Sequence, residues 1–343
     1  MTATTKDSFL THLRDYFTVF LPRTRNASPH TIESARRAFN PLLAHTAKTH
    51  GVRVDQITFL MLDKTTVAGW LDQAKTRRSW TAATYNQRLS RIRAFFTYAA
   101  TTEPTLAIYL ADLKAIPRAR EPKNPPVKHM SQAAIKALLA QPDPTTRLGL
   151  RDQFFMILMY DLAARDGELL ALRFKDLDAN RLQIDLLGKG SKPRRLPVTT
   201  DTISHYRRYA QVFHPDKDPD APLFYTIHHG RKTPMSDDNA ARLIAQHARV
   251  ARQTCPEVPP TVHPHMIRHS RALHLYQAGM PLAMLSEWLG HQDPVTTLIY
   301  ANADTEMKRR ALDKATRGVT PNPAPSAIWH EQEDIILRLC GLA

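Results

Sequence analysis

The sequence predicts a mainly α-helical protein of two domains, an all-helical N-terminal domain followed by an α+β domain with a small antiparallel β-sheet. Three observations lead there. Apolar residues recur at helical spacing from residue 6 to 112, and a proline-rich basic stretch interrupts the chain over 113–129. The clearest two-residue alternation flanks a Gly188-Lys189-Gly190 turn. A length of 343 residues exceeds one ordinary core and suits two domains, 1–112 and 130–318, with a tail over 319–343.

In the first domain Phe9, Leu13, Phe17 and Phe20 or Leu21 return at helical spacing. Ser28 followed by Pro29 reads as an N-cap with proline at the first helical position. The helix so opened carries Ile32, Ala35, Phe39 and Leu42 on one face, with Arg36 and Arg37 nearby. A helix over 81–99 buries Tyr85, Leu89, Ile92 and Phe96, and its other face offers Arg88, Arg91 and Asn86 or Gln87. Such a face is ordinarily solvated. The surplus of arginine and amide groups, with Lys75, Arg77 and Arg78 just upstream, makes Arg77, Arg78, Asn86, Arg88 and Arg91 candidates for contacts to a phosphate backbone.

Residues 114–128 hold four prolines and five basic residues against one acid, the composition of a semi-extended linker able to follow phosphates. Beyond it, Ser131 caps a helix, and Phe154 to Tyr160 is apolar almost all round, as a buried core helix is. The alternation over 181–186 resumes over 194–198, a short strand pair to which Leu223-Phe224-Tyr225 adds a third strand. After the prolines at 321, 323 and 325, Ile328, Ile335, Leu339 and Leu342 line one helical face. Trp329 and Ile336 widen it, so this helix must dock on its own protomer or on a neighbour.

Lysine and arginine total 47 against 32 acids, a net charge of +15 that favours a polyanionic partner. No run reaches the roughly 20 apolar residues of a spanning helix, and the N-terminus lacks a signal-peptide core. A cytoplasmic, nucleoid-associated protein without membrane contact is expected. Cys255 and Cys340 make neither a disulfide framework nor a metal cluster, and the 16 histidines show no ligand spacing. No metal or other cofactor is expected.

Chemistry concentrates in four segments: Arg165-Asp166-Gly167-Glu168, Gly188-Lys189-Gly190, His265-Met266-Ile267-Arg268-His269, and Leu289-Gly290-His291 with Tyr300 nine residues beyond its histidine. Guanidinium forks match phosphate oxygens. Two of them, with a lysine and histidines, suit holding a phosphodiester and moving protons, and a tyrosine can attack it.

These motifs, in this order and spacing, resemble the tyrosine recombinase family of phage integrases and Xer-like site-specific recombinases, over roughly residues 6 to 318. Two departures are visible: Ala163 where a glycine is common, and Met266-Ile267 where leucine usually precedes the arginine. Neither removes a chemical group. The resemblance implies a core-binding N-terminal domain and a catalytic domain of the DNA breaking-rejoining fold. It implies Tyr300 as nucleophile, Arg165 and Arg268 on the non-bridging oxygens, Lys189 as general acid, His265 as proton relay and His291 as hydrogen-bond donor to the phosphate. Glu168 would orient the site from behind, while Lys192 and Arg194 would hold DNA backbone. His269, beside an apolar helix, reads as a packing histidine. The implied partners are double-stranded DNA with an inverted-repeat site and three further protomers, exchanging strands through a four-way junction. The C-terminal helix would pass to the next protomer. A type IB topoisomerase, a hairpin-forming protelomerase and a catalytically silent DNA-binding regulator are the alternatives.

Overall fold

The computed structural model describes residues 6–77, 79–121, 127–188, 193–291, 293–303, 309, 312 and 333–342. The chain divides into two compact units, 1–123 and 124–343.

The first unit is helical: α1 (Lys6–Asp15), α2 (Pro29–His50), α3 (Lys64–Arg77), α4 (Ala82–Thr102) and α5 (Ala107–Lys114). Ser28 and Thr81 cap α2 and α4 by accepting the backbone N–H three residues on, and Gly51 ends α2 in the left-handed region. The first helix departs from the expected face. It widens into a π-helical stretch over Tyr16–Thr24, so the buried set runs Phe9, Leu13, Tyr16 and Leu21, with Phe17 and Phe20 only partly covered. In a π-helical turn residue i + 5 returns to the same face, so Tyr16 and Leu21 share a stripe that a regular 3.6-residue period misses. The expected faces of α2 and α4 are buried, Ile32 only partly.

Phe95 is the hub of this core, fully buried with Phe9, Phe39, Phe59 and Phe96 around it at centroid distances of 5.1–6.1 Å across the cluster. The ordered unit also runs past residue 112. Leu113 and Ile116 are buried in the same core, and Arg93 donates to the carbonyls of Leu113, Lys114 and Ile116. Asn86 is buried and spends both ends of its amide on Ala119, with Glu121 as a further partner. It is a brace for the end of the unit, which corrects its reading as a DNA contact.

The second unit contains α6 (Gln132–Leu139), α7 (Arg147–Leu162), α8 (Asp166–Leu170), α9 (Thr200–Phe213), α10 (Asp237–Thr254), α11 (Pro264–Gln277), α12 (Leu282–Leu289) and α13 (Leu298–Ala303). Its main sheet has the antiparallel order β1 (Leu177–Asp178), β2 (Gln183–Leu187), β3 (Pro193–Pro197). A second hairpin pairs β4 (Tyr225–His228) with β5 (Arg231–Pro234). The expected third strand therefore starts at Tyr225 and belongs to another sheet; Leu223 and Phe224 are buried just before it. Phe154, Phe155, Met156, Leu158 and Met159 are fully buried along α7, as its apolar run requires. Among the described residues no helix is long and apolar enough to cross a membrane, and no group of three metal-ligating side chains occurs. Of the tail, the described helix covers Glu333–Leu339; Leu337, Leu339 and Leu342 stand exposed, whereas Ile328 and Trp329 lie outside the described residues.

Phe95→Ala is expected to cost about 3–5 kcal/mol in the first unit, read as a lower urea midpoint; an unchanged midpoint would contradict this core assignment.

Candidate active site

Three helix boundaries build the site. The first is the end of α7, where Ala163 adopts a left-handed φ of +48° and turns the chain sharply. This is the position where the resemblance expects glycine, and the backbone shows why. The turn places Arg165 as the N-cap of α8. Its N–H donates to Glu168 Oε2 at 3.0 Å and its Nη1 to Oε1 at 2.7 Å, while the guanidinium remains about a third exposed.

Glu168 is buried and has a second cation. Arg194 donates from Nη2 and Nη1 to Oε2 and Oε1 at 2.7 and 3.2 Å, and from Nε to the Trp288 carbonyl at 3.1 Å. Burial opposes the carboxylate charge, but the Arg194 and Arg165 hydrogen bonds prevail and hold its pKa at about 2. Arg194 is thus consumed inside the protein, which corrects its reading as a phosphate-backbone contact. The sheet explains the burial. In β2 and β3 the register pairs Leu186 with Arg194 and Ile184 with Leu196, and these apolar partners face the core. Arg195, on the other face, pairs with Asp185 at 2.7 Å.

The second boundary is the start of α11, capped by His263, whose side chain accepts from Met266 N. His265 lies exposed in the first turn. Arg268, one turn deeper, is 4% exposed and donates to the carbonyls of Ala163 at 2.6 Å and Leu289 at 2.7 Å. It thereby ties the end of α7 to the end of α12. Burial, with the neighbouring Arg165, lowers it to about 10, so it stays charged at neutral pH.

The third boundary is the end of α12. Gly290 N–H donates to Glu287 O and His291 N–H to Ser286 O, the paired bonds of a Schellman cap with Gly290 left-handed at φ +62°. A Cβ there would meet Arg194 Nη1 at 3.1 Å, so the glycine serves both backbone and neighbour. The cap delivers His291, whose Nδ1 pairs with Thr297 Oγ1 at 2.8 Å. Burial, then Arg268 and Arg165, lower His291 to about 4, leaving it neutral. Gly188, Arg194, Trp288, Gly290 and His291 line part of a cleft of 650 Å³.

Tyr300 on α13 is 1% exposed, packed with Ala163, Ala272, Leu273, Leu285 and Leu289. Its hydroxyl pairs with His269 Nδ1 at 2.8 Å. Burial pushes the phenol up to about 12 although Arg268 opposes it, and burial with neighbouring His265 and Arg268 lowers His269 to about 4. His269 is therefore more than a packing histidine, a correction that its place one turn after His265 makes intelligible.

Lys189, Lys192 and Arg78 lie outside the described residues; the Leu187–Pro193 register closes β2 and β3 on either side of the first two. In the first unit Arg77 is exposed at the end of α3 and Arg91 is half-buried, with its charge near the Tyr16 hydroxyl. Arg88 is half-buried, 5.7 Å over the Trp80 ring and 3.5 Å from the Ser34 carbonyl.

His269 and His291 refuse protons in the folded state between pH 6.5 and about 4, while the unfolded chain takes them up. Their contribution is complete above pH 6.5 and is lost as pH falls toward 4; that of Glu168 is complete above 4.5 and is lost toward about 2. The thermal midpoint should therefore fall from pH 7 to 5, less steeply for His269→Gln; equal slopes would refute the assignment to His269.

The phage integrase family matches residues 128–307, and the phage integrase N-terminal SAM-like domain matches residues 15–103. The y4rC protein of Sinorhizobium fredii, named as an integrase/recombinase, is 30% identical over 332 residues, covering 96% of this chain and 97% of that one. Tyrosine recombinase XerC of Xylella fastidiosa is 29% identical over 306 residues, 89% of this chain and 97% of its own. Among solved structures, the XerH site-specific recombinase bound to its palindromic difH substrate has a TM-score of 0.67 at 20% identity, covering 84% of this chain and 81% of that one. The Tn1549 transposon integrase in complex with transposon right end DNA has a TM-score of 0.64 at 18% identity, covering 88% and 98%; at these identities the likeness speaks for the fold. With its catalytic-family match and a 30% identical relative aligned nearly end to end, the chain belongs to the phage integrase family of site-specific tyrosine recombinases.

Proposed function

We propose that the protein cleaves and rejoins double-stranded DNA at an inverted-repeat site through a 3′-phosphotyrosine formed by Tyr300. The observation that carries this reading is the Arg268 guanidinium, which joins the segment before Arg165 to the turn before His291 and senses the Tyr300 hydroxyl electrostatically. Arg165 offers its part-exposed guanidinium to the non-bridging oxygens. Arg268, which rests buried on two backbone carbonyls, joins it when DNA is seated, so that both stabilise the charge of the pentacoordinate transition state. His291 donates a hydrogen bond to the phosphate. Lys189 protonates the departing 5′ oxygen, so the bond energy stays in the covalent intermediate until a 5′ hydroxyl from a partner duplex reseals it.

The phenol cannot simply hand its proton to His269 in the resting arrangement. Burial raises the phenol and lowers the imidazole, so both shifts oppose the transfer. His269 therefore holds a protonated phenol, and exposed His265 relays the proton once DNA is seated. Lys192, Arg77, Arg78, Arg88 and Arg91 track the DNA backbone. Four protomers act on two sites, at the nucleoid in the cytoplasm. The exposed leucines of the last helix dock on the next protomer, which supports the ring.

Tyr300→Phe should abolish SDS-resistant adducts on a nicked duplex whose sequence the wild-type protein has selected from a random library, while duplex affinity is retained. An adduct that survives the substitution would disprove Tyr300 as nucleophile. Lys189→Ala should cleave slowly on that duplex yet recover on one with a 5′-bridging sulfur, whose leaving group needs no proton; equal defects on both would remove Lys189 from the acid's role.

A further inference from the structure

We propose that Arg194 is a positioning residue for Arg165: by sharing the charge of Glu168, it leaves the Arg165 guanidinium with a net positive field toward the scissile phosphate. The inference rests on the reading of Arg165 as a phosphate ligand. Glu168 accepts from both guanidiniums, 2.7 Å from Arg165 Nη1 and 2.7 Å from Arg194 Nη2, so two cations stand against one anion. The division of labour follows from exposure. The Arg165 side chain is 31% exposed and reaches outward, whereas that of Arg194 is 10% exposed and that of Glu168 7%. Without Arg194, Arg165 and Glu168 form a closed neutral pair, and a phosphate has to compete with a buried carboxylate for the same fork. With Arg194 present, the carboxylate is satisfied from the inner side.

Arg194 is built for this inward role. It lies on the core-facing side of β3, its Nε binds the Trp288 carbonyl, and its guanidinium packs over Gly290 where any Cβ would crowd it. A bracing role alone and a charge-sharing role differ in one respect: only charge sharing is relieved when the Glu168 charge is removed as well.

The test is a double-mutant cycle on single-turnover cleavage of the selected nicked duplex at saturating protein. Arg194→Met should slow adduct formation about 10- to 100-fold, less than the 10²–10³ that follows loss of a direct donor, with duplex affinity within about threefold of wild type. Adding Glu168→Gln should bring the rate back to within about fivefold of Glu168→Gln alone. Arg194→Lys, which keeps the charge without the fork, should retain most of the rate and covers the case in which the methionine variant misfolds. A double variant no faster than Arg194→Met, an Arg194→Lys as slow as Arg194→Met, or an undiminished Arg194→Met would each overturn the proposal. Failure of the underlying reading shows separately, as Arg165→Ala cleaving at the wild-type rate.

Discussion

Everything in the candidate site of the second unit depends on keeping several positive charges together in a place where water is scarce. Three arginines converge there, and each is neutralised only in part. Glu168 serves two of them, and its own burial is overcome by the hydrogen bonds they supply. Among the described residues Arg268 hydrogen-bonds to no carboxylate, with Glu168 acting on it only at a distance; it leans on two backbone carbonyls, at Ala163 and Leu289, that lie where helices end. Orphan carbonyls at helix C-termini carry partial negative charge. They stabilise a buried cation without cancelling its charge.

The same constraint accounts for the sharp chain reversals around the site. Ala163 and Gly290 both sit in the left-handed region, and both point nearby carbonyls toward Arg268. A Cβ on the glycine would press on the Arg194 guanidinium at 3.1 Å, and its φ of +62° favours a residue without one. The alanine carries a methyl group that the fully buried pocket around Tyr300 absorbs. Two of the sequence motifs are thus helix endings as much as sets of reactive groups.

Much of this was legible in the sequence. The apolar stripes of α2, α4 and α7, the caps at Ser28 and Ser131, and the hairpin around residue 189 all follow from local periodicity and capping chemistry. What escaped has physical causes. The π-helical step after Tyr16 breaks the period on which the reading depends. Asn86 looks like a surface amide until Ala119, 33 residues on, folds back to it. Arg194 was within reach, since alternation with Leu196 already places it on the inner face; a charged side chain is seldom read inward without sight of its counter-ion. His269 was read as a packing histidine, although it lies one helical turn after His265, because its partner Tyr300 arrives from another helix. Local chemistry announces the reactive groups, and tertiary contacts decide which of them face outward.

The burial of Tyr300 bears on what the protein does away from its target. A positively charged protein spends most of its time on DNA of the wrong sequence, because non-specific sites outnumber specific ones by many orders of magnitude. In the resting structure the Tyr300 phenol is held under an apolar roof, protonated and tied to His269. On the proposed reading of Tyr300 as nucleophile, the resting position of one side chain suppresses random nicking, by packing and before recognition has begun.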